Sequence, residues 1–305
     1  GNEQTVNVVP PGYDRAIYSK EDLIAFRDAT NSSNNDIRTA ARREKVIQMV
    51  DITLIEAWTK PIAHGGDFQG VYNGNGYTIT GLTMDRSKDR GTAALFSSVG
   101  TAATLTGIHL RQVSLTGVWA APLVAYAYEA SISLCSATGE VTATDAAGGL
   151  VAHLEQSTLL RSRTTCTVTG DGDAGGLVGY SGTGSTILGC MAGGSVGGNA
   201  TYIGALAGQN ISGSKIYFSY STATGIDLVG NNEEGNLLNP TIFCCYGKTE
   251  VYDDAGKRLT GTTDLDNPGN IVRDGGFIVG GSGYSGSSIW TTGNFPTLVY
   301  SYGGN

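Results

Sequence analysis

The sequence predicts an all-β protein: a single right-handed parallel β-helix, or β-solenoid, with a short helical N-terminal cap and an irregular C-terminal cap. Apolar positions recur every 27–29 residues, 46 of the 305 residues are Gly, and residues 112–214 carry only eight charged side chains. The Gly share is about twice the usual 7%. Stacked coils explain these observations, because each coil needs tight bends and buries much of its surface against its neighbours. The right-handedness follows the general preference of parallel crossover connections.

The repeat is visible in three registers. The first follows the central Leu of short apolar segments, spaced 28, 27, 27 and 29 residues apart, at Leu95, Leu123, Leu150, Leu177 and Leu206. The second follows nine or ten residues later, at Leu105, Ile132, Leu159, Ile187 and Ile216. The third runs through Val113, Val141, Val168 and Val196. Each coil therefore consists of three short strands joined by turns, and successive coils are expected to pair about 4.8 Å apart.

The chain divides into three parts of one structural domain. Residues 1–45 form an N-terminal extension and cap, in which Ser19 precedes a short amphipathic helix over about 20–30. Residues 36–45 form a second short helix or a solvated insertion, and a functional basic patch there is a less favoured alternative. The β-helix repeats occupy residues 46–229. Residues 230–305 form the C-terminal cap, with a closing strand at 295–299.

Local patterns predict further elements of the first coils and the bends. Residues 46–55 are predicted to form a strand, and residues 71–79 to form a strand, a Gly-rich turn and a second strand. The pairs Gly148-Gly149, Gly175-Gly176 and Gly193-Gly194 are predicted to mark bends, where Gly allows positive φ and close backbone approach.

The composition excludes several classes of protein. A hydrophobic content of 40% argues against disorder, and Gly does not recur at every third position as collagen requires. The net charge of −8 disfavours a nucleic-acid partner, because nucleic-acid-binding domains are usually basic. No run of 18 apolar residues is present, so no transmembrane helix is predicted in this chain.

Two groups of motifs resemble a known family. Residues 58–62 and 68–82 resemble the segment that begins the β-helix in Bacteroidetes surface proteins, while Gly149-Leu150-Val151 and Gly176-Leu177-Val178 resemble the GLUG repeat. The resemblance covers roughly residues 18–225 and the last strand. The sequence departs from the family pattern at Asn73, where Asp is common. It also departs at Ala125 and Ala152, which replace the Gly that is present at the equivalent position Gly179. The resemblance implies a surface or secreted location and an adhesion-like role, and it transfers no catalytic residues.

The sequence contains no convincing catalytic constellation. His64, His109 and His153 lie in dissimilar contexts and lack the His-Glu-x-x-His spacing of zinc peptidases, so no metal site is predicted from them. The best carboxylate cluster combines Asp171 and Asp173 with Asp145 one coil earlier, which would suit a carbohydrate-active β-helix. The pair Asp171 and Asp173 also resembles part of a calcium loop, but a polar turn is favoured because further oxygen ligands are missing.

Tyr126, His153 and Tyr180 are the candidate ligand-contact residues. They lie three residues after successive repeat Leu positions, in a row that also contains Ser98 and Gln209. If they face outward, the three rings form a strip that could stack on sugar rings or contact a protein. If they lie inward or at a corner they only pack, and packing is the favoured interpretation.

The five Cys residues are expected to be buried thiols. Their odd number and the absence of a C-x-x-C pair argue against a disulfide framework or zinc. Cys135 and Cys190 lie two coils apart, about 10 Å and too far for a disulfide. They share an inward row with small or apolar residues, at Ile108, Ser162 and Ser219.

The leading functional hypothesis is a non-enzymatic, adhesion-like protein that presents a rigid β-helix to a host or bacterial glycan or surface protein, without a cofactor. A polysaccharide lyase or glycoside hydrolase is the alternative, and a structural spacer in a larger surface assembly is a third. The expected location is the cell surface or the extracellular space. A lipid anchor ahead of Gly1 is left open.

Overall fold

Parallel strands stack into a β-solenoid of about 8 turns, which confirms the predicted fold class. The structure, a computed structural model, describes residues 7–223, 226–232, 242–243, 245–247, 250–252 and 258–260. The predicted closing strand at 295–299 and most of the predicted C-terminal cap lie outside the described residues. The division at residues 45 and 229 stays a prediction.

Two short helices precede most of the solenoid. Helix α1 covers Lys20–Thr30, and its N-cap Ser19 accepts a hydrogen bond from the backbone N–H of Asp22 at 3.1 Å, as the capping pattern predicts. Helix α2 covers Asn35–Ala41, so the second-helix alternative is correct. Leu23 and Phe26 of α1 are fully buried against the first coils. Among the described residues, neither helix is long and apolar enough to cross a membrane.

One face of the solenoid is a sheet of nine parallel strands among the described residues. Its strands, in spatial order, are Arg15–Ile17, Lys45–Gln48, Val71–Asn73, Thr104–Thr106, Ser131–Ser133, Thr158–Leu160, Thr186–Leu188, Lys215–Tyr217 and Ile242–Phe243. The second apolar register runs through this sheet, with Leu105, Ile132 and Leu159 paired in adjacent strands. These residues are fully buried, as the sequence predicts.

A second face is a sheet of six parallel strands among the described residues. They are Phe96–Val99, Val124–Tyr128, Val151–Glu155, Val178–Gly182, Ala207–Asn210 and Val229–Asn232. The repeat Leu residues immediately precede these strands and are fully buried, for example Leu123, Leu150 and Leu177. The first register is therefore confirmed.

The third sheet contains fifteen strands among the described residues. They are Ile52–Thr53, Thr78–Thr80, Thr83–Asp85, His109–Ala120, Ser136–Gly148, Arg163–Thr164, Thr167–Gly170, Asp173–Gly175, Met191–Ala192, Ser195–Gly198, Tyr202–Gly204, Tyr220–Ser221, Cys245–Tyr246, Glu250–Tyr252 and Arg258–Thr260. The pairing is parallel until Cys245–Tyr246, after which Glu250–Tyr252 and Arg258–Thr260 add antiparallel strands.

The third register is wrong at its first member. Val141 pairs with Leu115, not Val113, whereas Val141, Val168 and Val196 do share one row. The register shifts between Ala137 and Gly139, and Val113 lies opposite Gly139. This irregularity shortens the local step from 27 to 26 residues, which a constant period does not anticipate.

Two predictions about the first coils also need correction. Residues 46–55 do not form one strand, because the chain leaves Lys45–Gln48 and enters Ile52–Thr53 in a different sheet. Residues 71–79 do form strand, turn and strand, but Val71–Asn73 and Thr78–Thr80 belong to different sheets. The Gly-rich turn therefore makes a corner of the solenoid.

Buried serines satisfy the backbone at one corner. Ser157 Oγ accepts a hydrogen bond from the N–H of Ala130 at 3.0 Å, and Ser185 Oγ accepts one from the N–H of Ser157 at 3.4 Å. Ser214 Oγ continues the row by accepting from the N–H of Ser185 at 3.2 Å. Each hydroxyl thus pairs a buried donor of the preceding coil, which would otherwise cost free energy.

Positive φ at the corners is supplied largely by residues other than Gly. The non-Gly residues with positive φ on either side of the nine-stranded sheet include Glu129, Leu134, Gln156, Arg161, Thr183, Ser212 and Phe218. Gly148-Gly149 and Gly175-Gly176 do mark bends between strands, as predicted, but their φ values are not positive, whereas Gly194 has φ +81°.

Close backbone approach explains the row Gly148, Gly175 and Gly204. A Cβ atom at these positions would lie 1.8 Å from the carbonyl oxygens of Val151, Val178 and Ala207, respectively. The chain turns there from the fifteen-stranded sheet into the six-stranded sheet, and the backbone folds back onto itself. At these three positions an added Cβ would force the facing backbone segments apart.

We expect Gly148→Ala to lower the free energy of unfolding by at least about 2 kcal/mol, because the new methyl group would displace the Val151 carbonyl. Gly197→Ala is the matched control, since a Cβ there meets nothing within 4 Å. The control should leave stability unchanged or raise it by up to about 1 kcal/mol. Urea unfolding measures both variants, and equal stability would contradict the close-approach explanation.

Candidate functional site

The predicted row of Tyr126, His153 and Tyr180 exists and crosses the outer face of the six-stranded sheet. Tyr126 pairs with His153, and His153 with Tyr180, in successive coils. Ser98 and Gln209 extend the row at its two ends, as the spacing predicts. All three rings are partly exposed, while their strand neighbours Ala127, Leu154 and Ser181 are fully buried.

A second row runs beside the first, at the end of the fifteen-stranded sheet. It consists of Trp119, Ala146, Asp173 and Tyr202, each paired with the next. Ala146 has a small side chain, and the indole ring of Trp119 lies 4.3 Å from the ring of His153 and 6.0 Å from that of Tyr126, centre to centre. Trp119 therefore joins the predicted residues in one aromatic surface.

We call Trp119, Tyr126, His153 and Tyr180 the aromatic platform. The rings of His153 and Tyr180 are stacked, with centres 5.0 Å apart and an angle of 29°. Trp119 and Tyr126 are stacked at 26°. The rings therefore combine the two predicted alternatives. They pack against one another along their row, and each also keeps some exposed surface. Such contacts also hold the rings in fixed positions.

Burial keeps His153 neutral at physiological pH. Its position under Trp119 and beside Tyr180 lowers the pKa to about 4, since the charged imidazolium would lose its hydration, while nearby Asp145 acts weakly in the opposite direction. Its Nε2 atom is buried and has no hydrogen-bond partner among the described residues. His153 thus serves the platform as an uncharged flat ring.

Carboxylates flank the platform and hold its polar atoms. The Nε1–H of Trp119 donates to Asp145 at 2.6 Å, and the hydroxyl of Tyr126 donates to Glu155 at 3.2 Å. Burial, followed by the charge of Glu155, raises the pKa of Tyr126 to about 12. These contacts orient the two rings and give the rim of the platform a negative charge.

Asp145, Asp171 and Asp173 differ in their surroundings, and Asp145 and Asp173 already hold a neighbouring side chain, Trp119 and Gln209 respectively. Asp171 is exposed, whereas Asp173 is half-buried and accepts a hydrogen bond from Gln209 at 2.8 Å. Burial raises the pKa of Asp173, Gln209 lowers it, and the charge of Asp145 raises it further. Among the described residues, no three His, Cys, Asp or Glu side chains group as a metal site would need.

The remaining candidate residues lie elsewhere. His109 lies on the fifteen-stranded sheet, where its Nδ1 is 2.7 Å from the hydroxyl of Ser136, and His64 lies near α2. Cys135, Cys166 and Cys190 are buried free thiols and Cys245 is buried, as predicted, while Cys244 lies outside the described residues. Cys135 and Cys190 lie in the inward row with Ser162 and Ser219. The hydroxyl of Ser162 accepts a hydrogen bond from the backbone N–H of Cys135, and the hydroxyl of Ser219 accepts one from the backbone N–H of Cys190.

Comparisons with known proteins support the fold and give no family assignment. No protein-family model matches this chain. Halomucin from Haloquadratum walsbyi is 31% identical over 153 residues, a match that covers 47% of this chain and 2% of halomucin. The chain therefore corresponds to a small part of that relative's length.

The structure of a putative immunoglobulin A1 protease from Bacteroides ovatus aligns with a TM-score of 0.56 at 18% identity, covering 84% of this chain and 86% of that one. At this identity the likeness shows the fold alone. The expectation of a β-helix similar to a Bacteroides protein is confirmed to that extent.

We expect His153 to lower stability as the solution becomes acidic. The folded state keeps a pKa of about 4, whereas the unfolded chain has the ordinary value of about 6.5, so stability is full above pH 6.5 and declines as the pH falls towards 4. The loss should reach about 3 kcal/mol at most. Urea unfolding between pH 7 and 4 should show a smaller decline in His153→Gln than in the original chain.

His109→Gln is the control, because His109 lies away from the platform; burial also lowers the pKa of His109, so this variant loses only its own, separate contribution. It should retain the His153 contribution to the pH dependence. The burial account of His153 fails if the His153→Gln variant declines as steeply as the original chain.

Proposed function

We propose that this chain is a non-enzymatic, adhesion-like surface module that binds glycans on its aromatic platform. The observation that carries the proposal is the group of four ordered, partly exposed rings, three in a row on the six-stranded sheet and Trp119 beside them on the fifteen-stranded sheet. Aromatic faces stack on the apolar C–H faces of sugars, and rings that are already ordered lose little entropy on binding.

The geometry of the sheet favours an extended ligand. Tyr126, His153 and Tyr180 follow the coil spacing of about 4.8 Å, so the platform offers several adjacent contacts along the solenoid axis. Asp145 and Glu155 provide hydrogen-bond acceptors at its edge, which suits sugar hydroxyl groups. Their negative charge favours uncharged sugars over acidic ones at this position.

A hydrolase or lyase is less well supported. Asp145 and Asp173 are engaged by Trp119 and Gln209, and Asp171 lies exposed in the turn before the strand that holds Asp173. The proposal includes a surface location, GLUG-type repeats and an adhesin character. The sequence resemblance and the β-helix fold support these three parts of the proposal. A host or bacterial surface protein is the other partner class that an ordered aromatic surface would suit.

We expect Trp119→Ala to weaken binding of uncharged oligosaccharides by about fivefold or more, since it removes the ring that joins both rows. Tyr217→Ala is the matched control. Tyr217 stacks on Phe243 at 5.0 Å on the nine-stranded sheet, so the change removes a partly exposed aromatic ring away from the platform. A glycan array, followed by calorimetric titration of the best ligand, measures the effect.

The glycan proposal fails if the original chain binds no uncharged glycan on the array, or if Tyr217→Ala weakens binding as much as Trp119→Ala. Thermal unfolding of each variant shows whether the solenoid is intact. Tyr180→Ala provides a second test at the opposite end of the platform, where the ring contacts His153.

A further inference from the structure

A second surface feature lies next to the helical cap, away from the aromatic rows. The end of α1, helix α2 and the segment at residues 60–65 line an open surface pocket of about 340 Å³. This volume lies within the range of small-ligand sites, about 300–1,000 Å³. We call it the basic pocket, and the residues that define it are Ser32, Ser33, Arg38, Arg42, Lys60 and His64.

Backbone carbonyl and amide oxygens hold the two arginines of the basic pocket in place. The Nε of Arg42 donates to the carbonyl of Thr30 at 2.9 Å, and its Nη2 donates to the carbonyl of His64 at 2.9 Å. Arg38 donates to the carbonyl of Ser32 at 2.7 Å and to Asn35 at 2.9 Å. The guanidinium groups are therefore fixed without an ion pair.

Within the described ranges, the cations of the basic pocket form no ion pair. In the described part of the chain, no carboxylate lies within 4 Å of the charged atoms of Arg38, Arg42 or Lys60, whereas four other cations form ion pairs, at Arg15, Lys20, Arg27 and Arg86. The closest acidic influence on Arg42 comes from Asp67, which accepts a hydrogen bond from Ser98.

The electrostatics of the pocket show mutual repulsion between its cations. Burial, followed by the charge of Arg38, lowers the pKa of Arg42. Burial, followed by the charges of Arg86, which lies outside the pocket lining, and of Lys60, lowers the pKa of His64, while the charge of Asp89 acts in the opposite direction. An anion in the pocket would relieve this repulsion, and arginine side chains hold oxyanions through paired N–H donors.

We propose that the basic pocket binds an oxyanion, the sulfate or carboxylate group of an acidic ligand. Arg38, Arg42 and Lys60 supply the charge, and the hydroxyls of Ser32 and Ser33 supply further donors. The site is chemically opposite to the aromatic platform, whose rim is acidic. The proposal is therefore independent of glycan binding at Trp119.

Calorimetric titration of the intact chain with inorganic sulfate and with glucuronate, at constant ionic strength, tests the proposal. We expect saturable binding of at least one of these anions. Preference for sulfate would assign the site to a tetrahedral anion, and preference for glucuronate would assign it to a sugar carboxylate. The proposal is overturned if the chain binds neither anion in a saturable way.

Lys60→Gln is the main variant, because Lys60 is exposed and its loss leaves the solenoid contacts in place. It should weaken anion binding by about fivefold. Lys45→Gln is the matched control, since Lys45 is also exposed and lies outside the pocket. Equal weakening by both variants would show a general charge effect and overturn the site. Trp119→Ala should leave anion binding unchanged, which separates this test from that of the platform.

Discussion

The parallel pairing between successive coils is the constraint on which the rest of the structure depends. Each strand hydrogen-bonds to its equivalent one coil away, so in the central coils, residues 96–217, each paired position lies beside the residue 26–29 positions later. Inward positions must then fill the same space in every coil, and Leu105, Ile132 and Leu159 do so. Outward positions form rows whose chemistry is free to vary along the axis.

The same constraint explains how the glycines serve the candidate site. Gly148, Gly175 and Gly204 allow the fifteen-stranded sheet to fold back tightly onto the six-stranded sheet. This close approach brings the row of Trp119 beside the row of Tyr126, although the two belong to different sheets. The high Gly content therefore supports the aromatic platform as well as the solenoid.

Structural features that recur in every coil can be predicted from the sequence, whereas features that occur in a single coil are missed. The Leu registers, the thiol row and the row from Ser98 to Gln209 follow from a constant period. Trp119 is missed because its equivalents in other coils, Ala146 and Asp173, share no chemistry with it, although all lie four residues before a repeat Leu. Leu115 is missed because the register shift changes the local step. Positive φ at Glu129 or Arg161 leaves no mark in composition.

The candidate binding surfaces of this fold therefore lie where equivalent positions in successive coils carry different kinds of side chain. Ala146 is small where Trp119 is large, and the difference lets the indole lie over His153. The basic pocket departs further, since it is built from the helical cap, where charged residues are concentrated. The charge of Asp67 raises the pKa of both Arg42 and Tyr126, so one carboxylate acts on a residue of each surface.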